Sequence, residues 1–297
     1  MAAMTYLSPA GLPPVESPSC VPLPATFEQL AALPDDCIDV AVGAALIARD
    51  AYGGLEAASV VERFDALAAP LVSRGLAHLT AAEQAVALSK HLHEQIGFRG
   101  NDQDYYDPKN SLLPDVLERK LGIPITLALV YCEVGRRVGV QARGVSFPGH
   151  FLVRVDDAAA PASPVMIDPF FGGRRLEKPA LQKLLERASP NQTLSDDHLA
   201  AASARMMLVR MLINLKWIYA TRGDFARALL ALDRIISLTP DSVPALRERG
   251  LLAARLGAVE AARADLARLL EIVPQLPDAS TIRQQLEELR SRVSVLN

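Results

Sequence analysis

Between residues 223 and 274 the sequence comes close to repeating itself. Gly223 and Gly257 stand 34 residues apart, and so do Pro240 and Pro274, Ala228 and Ala262, and Leu232 and Leu266. A period of that length holds one antiparallel helix pair, with small residues where the helices touch. It makes the C-terminal part, about 195–297, all-helical. A helix over about 201–220 runs into the first repeat, and another (Ile282 to Arg290) follows the second. Two repeats are fewer than the three or so that stand alone. They are expected to pack on the rest of the chain or on a partner.

Upstream, the pattern changes period. Residues 144–154 read strand, turn, strand, with Pro148-Gly149 as the turn. Phe151, Val153 and Val155 alternate with Leu152 and Arg154, the pattern of a half-buried strand. Val165-Met166-Ile167 is a further short strand, stopped by Asp168-Pro169. His150 opens one strand and Asp168 closes the next. If these strands pair, the imidazole and the carboxylate lie side by side, as in the rear half of a nucleophile-His-Asp triad.

Ahead of the strands the chain is helical. Ile38, Val42, Ala45 and Leu46 have helical spacing, with a stop at Gly53-Gly54. Ser59 to Glu62 and Thr80 to Glu83 each have the form of a capping box. The second opens a helix to about Ile96 that carries His91 and His93. Two residues apart, these point in different directions and do not form a metal pair. Asn110-Ser111 is positioned to cap a short helix with Pro114 in its first turn, ended by Gly122. Pro124 then opens a helix that is apolar on nearly every side through Val134, hence buried. Arg136 and Arg137 fall in its last turn and Gly139 stops it. A helix over about Lys178 to Ala188 closes this part. Residues 1–25, rich in proline, read as a flexible arm.

The loop from Gly97 to Asn110 is polar and aromatic. Two readings of it stand: a surface loop whose Asn and Asp side chains bond its own backbone, or a loop lining a cleft. Asn101, Tyr105, Tyr106, Asn110, Ser111, Phe147, His150 and Asp168 form the candidate cleft set.

Composition narrows the chemistry. A net charge of −3 and the lack of any long basic run leave no footprint for nucleic acid. No stretch reaches the roughly 20 apolar residues of a membrane crossing, and no Lys or Arg precedes Arg49, so no secretory signal is expected. Cys20, Cys37 and Cys132 make no CxxC pair, so free thiols in a reducing cytoplasm are expected, without metal or organic cofactor.

Pro124 through Arg143, with His150 and Asp168, resembles the core of the transglutaminase-like superfamily. Arg136-Arg137-Val138-Gly139-Val140-Gln141-Ala142-Arg143 matches that family's R-x-x-G-[IV]-x-x-R segment, which leads from the nucleophile helix to the strand bearing the histidine. More narrowly, the chain resembles the SirB regulatory-protein family of bacteria, which joins such a core to tetratricopeptide repeats. Asn101 to Asp107, Asn110-Ser111, Val116 to Arg119, Gly122 to Ile125, Gly144 to Val153, Ile167 to Phe170 and Asn214-Leu215-Lys216 carry the likeness. The resemblance implies a mostly helical α+β core over 26–190 with a small antiparallel sheet, followed by repeats over 195–297.

It also places the catalytic thiol near Pro124, which has no nucleophilic atom. Cys132 lies two turns deeper, where a buried thiol is inert. Thr126 in a first helical turn bonds backbone, and Ser111 serves as a cap. The expectation is a non-catalytic regulatory protein that binds a protein or peptide through the repeat groove or the degenerate cleft. The alternative is a hydrolase or acyltransferase that uses His150 and Asp168 with another nucleophile or an activated water. A structural role for the pair, filling the hydrogen bonds of a buried imidazole, is the third reading.

Overall fold

The computed structural model describes residues 23–157 and 163–296. The expected arm at 1–25, except its last three residues, lies outside the described residues, as does Cys20.

The first helices are set by their caps. Thr26 and Gln29 form a reciprocal box at α1 (Phe27–Ala31). Asp39 accepts from the Val42 amide at 3.0 Å to start α2 (Val40–Tyr52), which stops at Gly53. α3 (Ala57–Val72) begins earlier than the capping-box reading of Ser59 and Glu62. Ser59 lies inside its first turn and donates to the Glu56 carbonyl at 2.8 Å, so its hydroxyl is engaged and no box forms. The box of Thr80 and Glu83 does form, at α4 (Ala81–Ser89). That helix runs on as a π-helical turn, Lys90–Gln95.

The expected cap by Asn110-Ser111 is absent. Both side chains are buried, and α5 (Leu113–Arg119) starts from Leu112 with Pro114 in its first turn. It ends at Lys120 in the left-handed region, φ 60°, rather than at Gly122. Gly122 belongs instead to β2 (Leu121–Gly122), which pairs in parallel with β1 (Arg99–Gly100). A Cβ on Gly122 would stand 2.7 Å from Thr126 Oγ1, so this strand enters the next helix only as glycine.

That helix is α6 (Pro124–Arg137), buried along most of its length and ended ahead of Gly139, φ 76°. It packs on α3 and on a four-stranded antiparallel sheet. The sheet runs in chain order: β3 (Ala142–Val145), β4 (Leu152–Val155), β5 (Val165–Asp168) and β6 (Arg174–Leu176). β4 was expected to be half-buried, yet Phe151, Leu152, Val153 and Val155 are all at most 2% exposed. The reason is a second layer. Val153, Val155 and Ile167 face the main core, while Val145, Leu152 and Met166 meet Leu181 and Leu185 of α7 (Lys178–Ala188).

The repeats follow as α8 (Ala204–Thr221) with α9 (Phe225–Leu238), α10 (Val243–Arg255) with α11 (Val259–Ile272), and α12 (Ala279–Leu296). Gly223 and Gly257 turn each pair at φ 76° and 80°, and Ala228 and Ala262 are fully buried where the helices touch. The first pair leans on the N-terminal helices as the repeat count required. Met207, Leu208, Met211 and Leu212 share one apolar cluster with α2 and α6. Arg205 donates to the carbonyls of Ala31, Leu33 and Leu238, and Arg234 pairs with Asp50.

Gly43 in α2 is the closest point of that contact. An added Cβ there would stand 2.5 Å from Leu208 Cδ1, a side chain with no room to retreat. Gly43→Val is expected to lower unfolding stability by about 2–3 kcal/mol, in the range of core overpacking. Urea denaturation followed by circular dichroism measures it. A variant as stable as wild type would show that α8 does not bear on α2 at this point.

Candidate functional site

The turn between β3 and β4 closes with Gly149 at φ 69°, and the His150 amide donates to the Phe147 carbonyl at 3.0 Å. This holds the imidazole just before β4. Val153 pairs with Ile167, which carries β5 forward to Asp168 beside it. His150 Nε2 stands 3.0 Å from Asp168 Oδ1. Asp168 is fully buried. Its Oδ1 also accepts from the Phe170 and Phe171 amides at 3.2 and 3.4 Å, and its Oδ2 from Arg174 at 3.1 Å. Burial alone would raise this carboxyl. The hydrogen bonds and positive charge of His150 and Arg174 outweigh it and hold the group below its ordinary value. A carboxylate only accepts, so Nε2 carries the proton. When the ring is neutral, this bond places its lone pair on Nδ1.

Hydrogen-bonded backbone links this pair to the start of α6. The Gly100 amide donates to the Phe170 carbonyl at 3.1 Å, and the Asn101 amide to the Gly122 carbonyl at 3.0 Å. Gly100 lies flat under Phe170, with ring carbons 2.6 Å from where a Cβ would be. At the helix start Pro124 fills the first position and is buried. Thr126 Oγ1 is committed to backbone: it accepts from the Ile123 amide at 3.1 Å and lies 2.8 Å from the Asn110 carbonyl. Burial pushes the Cys132 thiol far above its ordinary value, with the Glu133 charge adding to it. Ser111 is fully buried and its Oγ lacks a hydrogen-bond partner.

The loop divides its residues between two jobs. Asn101 and Asn110 turn inward. Their side chains bond each other at 3.0 Å, and Asn110 donates to the carbonyls of Asp104 and Tyr105. Tyr105 and Tyr106 turn outward, 40% and 54% exposed. A run of ring contacts then extends from the His-Asp pair to the repeats. Centroid separations are 6.3 Å for His150–Phe170, 5.9 Å for Phe170–Tyr105, 5.2 Å for Tyr105–Tyr106 and 4.6 Å for Tyr106–Trp217. Arg222 fixes the loop to α8 by donating to the Tyr106 carbonyl at 3.1 Å. A cavity of about 260 Å³ opens here, with Tyr105, Tyr106, Ile123, Ile213, Asn214 and Trp217 in its wall.

Phe147 takes no part in it. It is buried on the far face of the sheet among Leu152, Leu181 and Leu185. Trp217, Ile213 and Asn214 join the cavity from the repeat side, and the sequence pointed to none of them as site residues. One signal was available: the only tryptophan of the chain falls on a repeat helix, where it is 46% exposed. His93 lies close enough to Asp168 to feel its charge. Its Nδ1 donates to the Phe98 carbonyl at 2.8 Å, and burial lowers its pKa. His91 bonds Leu67 and Gln95 instead. Among the described residues no group of His, Cys, Asp or Glu is arranged to hold a metal ion.

A buried helix followed by a histidine just before one antiparallel strand, paired with an aspartate at the end of the next, fits the transglutaminase-like superfamily, whose model matches residues 58–213. A tetratricopeptide repeat family matches residues 215–287. The chain belongs to the UPF0162 proteins. It is 38% identical to the UPF0162 protein of Xylella fastidiosa over 276 residues, 89% of this chain and 94% of that one. To the UPF0162 protein of Pseudomonas aeruginosa it is 35% identical, over 71% of this chain and 76% of that one. F-box only protein 21 of Mus musculus is 33% identical over 57% of this chain and 27% of its own length. No solved structure matches.

The Asp168 carboxyl is held below its ordinary value in the folded protein, so the unfolded chain takes up its proton first as pH falls. The stabilisation is therefore complete above that value and is lost as pH drops through the folded one. Asp168→Asn is expected to cost about 1–3 kcal/mol at neutral pH. It is also expected to flatten the acid limb, so that wild type and variant draw together as pH falls below the ordinary aspartate range. Urea midpoints from pH 7 to 3 test this. Parallel curves would remove Asp168 as the source of acid sensitivity.

Proposed function

We propose that this chain is a SirB-type regulatory protein. It binds an extended segment of another protein in the cleft between the Tyr105-Tyr106 loop and α8, and runs no thiol chemistry. The carrying observation is the aromatic run from His150 to Trp217, which joins the degenerate cleft to the first repeat helix and borders a cavity. Pro124 at the start of α6 and the inert Cys132 leave no thiolate to attack an acyl group. Exposed Tyr and Trp side chains are the residue types that anchor protein contacts. The free thiols of Cys37 and Cys132 favour a reducing compartment, the cytoplasm. The chain divides in this reading near residues 190–195, into a core that shapes one wall of the cleft and repeats that supply the other.

Tyr106→Ala and Trp217→Ala remove exposed rings, so melting temperatures should stay within about 3 °C of wild type. Proteins retained from a cell lysate by wild type should be lost by both variants. Phe147→Ala, buried behind the sheet, should do the reverse and lower the melting temperature while keeping the same proteins. Identical retained sets for wild type and both exposed variants would sink the cleft reading.

One observation favours a second reading, hydrolysis through an activated water. With Nε2 held by Asp168, Nδ1 of His150 is free to accept a proton. On this reading p-nitrophenyl ester hydrolysis survives thiol-blocking reagents and disappears in His150→Ala. Turnover that persists in His150→Ala rules the reading out.

A further inference from the structure

Residues Met206, Arg210, Ile213, Asn214 and Trp217 follow one another on α8 at i, i+4, i+7, i+8 and i+11, which is a single helix face. Met206, Ile213 and Trp217 are exposed. Arg210 sits between them. Its Nε is buried without a hydrogen-bond partner, and its guanidinium makes no ion pair among the described residues. This is unlike the other arginines that tie the repeats to the core. Arg205 has three carbonyl partners, and Arg234 is held by Asp50 and Glu28. The Arg210 charge reaches the loop across the cleft, where it opposes the rise that burial and Tyr106 impose on the Tyr105 phenol. The Asn214 side chain, one turn on, lies in the cavity wall and has no hydrogen-bond partner among the described residues.

We propose that the segment bound in this cleft carries an aspartate or glutamate flanked by apolar side chains, and that Arg210 receives the carboxylate. The proposal rests on the peptide-binding reading above and names the chemistry of its ligand. A guanidinium that makes no ion pair with the described residues has the planar donor geometry to take a carboxylate through two parallel hydrogen bonds. The apolar stripe continues on both sides of Arg210, to Met206 in one direction and Trp217 in the other. An occupant therefore runs past the charge, which makes the carboxylate a side chain and not a chain end. Seven residues of helix put Trp217 roughly 10 Å from Arg210. An extended peptide covers that in about three residues at its usual ~3.3–3.6 Å each. The cavity of about 260 Å³ is smaller than the roughly 300–1,000 Å³ of drug-sized sites, so it takes one large apolar side chain and not a folded element. The segment then reads as an apolar anchor with an acidic residue three positions away, and Asn214 is placed to bond the peptide group between them.

Trp217 is the only tryptophan and lies in the cavity wall, so its fluorescence reports occupancy in the full chain. The probe is a blocked heptapeptide with a central glutamate, phenylalanine at both ends and alanine between, readable in either direction. Its control carries glutamine at the centre. Wild type should bind the glutamate peptide at least tenfold more tightly than the glutamine peptide. Arg210→Gln should bind the two equally, and Arg210→Lys should restore part of the difference. Arg210 has no hydrogen-bond or ion-pair partner among the described residues, so its variants should melt with wild type.

Equal binding of both peptides by wild type overturns the acidic specificity and leaves the peptide-binding reading standing. If neither peptide changes Trp217 fluorescence at millimolar concentration, both fall. A fluorescence change that follows protein concentration without peptide, with dimers in sedimentation, makes a second copy the occupant and overturns the proposal.

Discussion

A helix that is apolar on almost every side cannot rest on a surface, and α6 organises this molecule through that need. α3 and the four-stranded sheet pack directly against it, and α8 of the first repeat completes the enclosure. The helix begins at a proline, whose missing amide costs nothing at a position where no intrahelical acceptor exists. Thr126 then closes the turn by bonding backbone on both sides. The start of α6 is thus a buried helix end whose hydroxyl is already engaged by backbone. The same location in a thiol enzyme needs an exposed sulfur with its charge stabilised by the free amides of the first turn.

Enclosure of α6 also explains how two repeats persist. A solenoid draws its stability from contacts between neighbours, and a pair of repeats has few. Here the first pair contributes its inner residues to the main core, from Met207 to Leu238. From α10 onward a separate, smaller cluster holds the second pair and α12 together. The repeats are therefore anchored at one end, and the anchoring helix presents its remaining face to the loop that leaves β1. The junction that stabilises the repeats is the same junction that forms the cavity.

Much of this arrangement was legible because it is local. The turn glycines, the Thr80–Glu83 box, the proline start of α6 and α7 are consequences of residues within a few positions of one another. The likeness to transglutaminase-like chains and the pairing of His150 with Asp168 followed from a short strand register. What could not be read depends on tertiary partners. Ser59 offered the right spacing for a cap, but the helix had already begun, and its hydroxyl turned back to Glu56. Gly122 looked like a helix stop until β1 arrived to pair with it. β4 looked half-buried because nothing in its own alternation announces that α7 covers the second face. Phe147 was grouped with the cleft by its neighbours in sequence, but two residues past β3 it joins Val145 on the face covered by α7. Trp217 offered one signal, as the only tryptophan and on a repeat helix, but its exposure toward the loop depends on how α8 packs.

Asp168 and His150 differ in what structure alone accounts for. The carboxylate is fully buried and meets His150, two backbone amides and Arg174, so removing it would leave several donors without an acceptor. That is sufficient reason for an aspartate at the end of β5. Nothing comparable holds for the histidine. Asp168 keeps a cation and two amides without it, and a buried apolar residue would fill the space beside Phe170 and Phe171 at lower desolvation cost. The histidine instead stands at the head of the ring contacts that lead to Tyr105 and Trp217, with one nitrogen fixed and the other unengaged. His150 thus lies at the inner end of the ring contacts that lead to the α8 face.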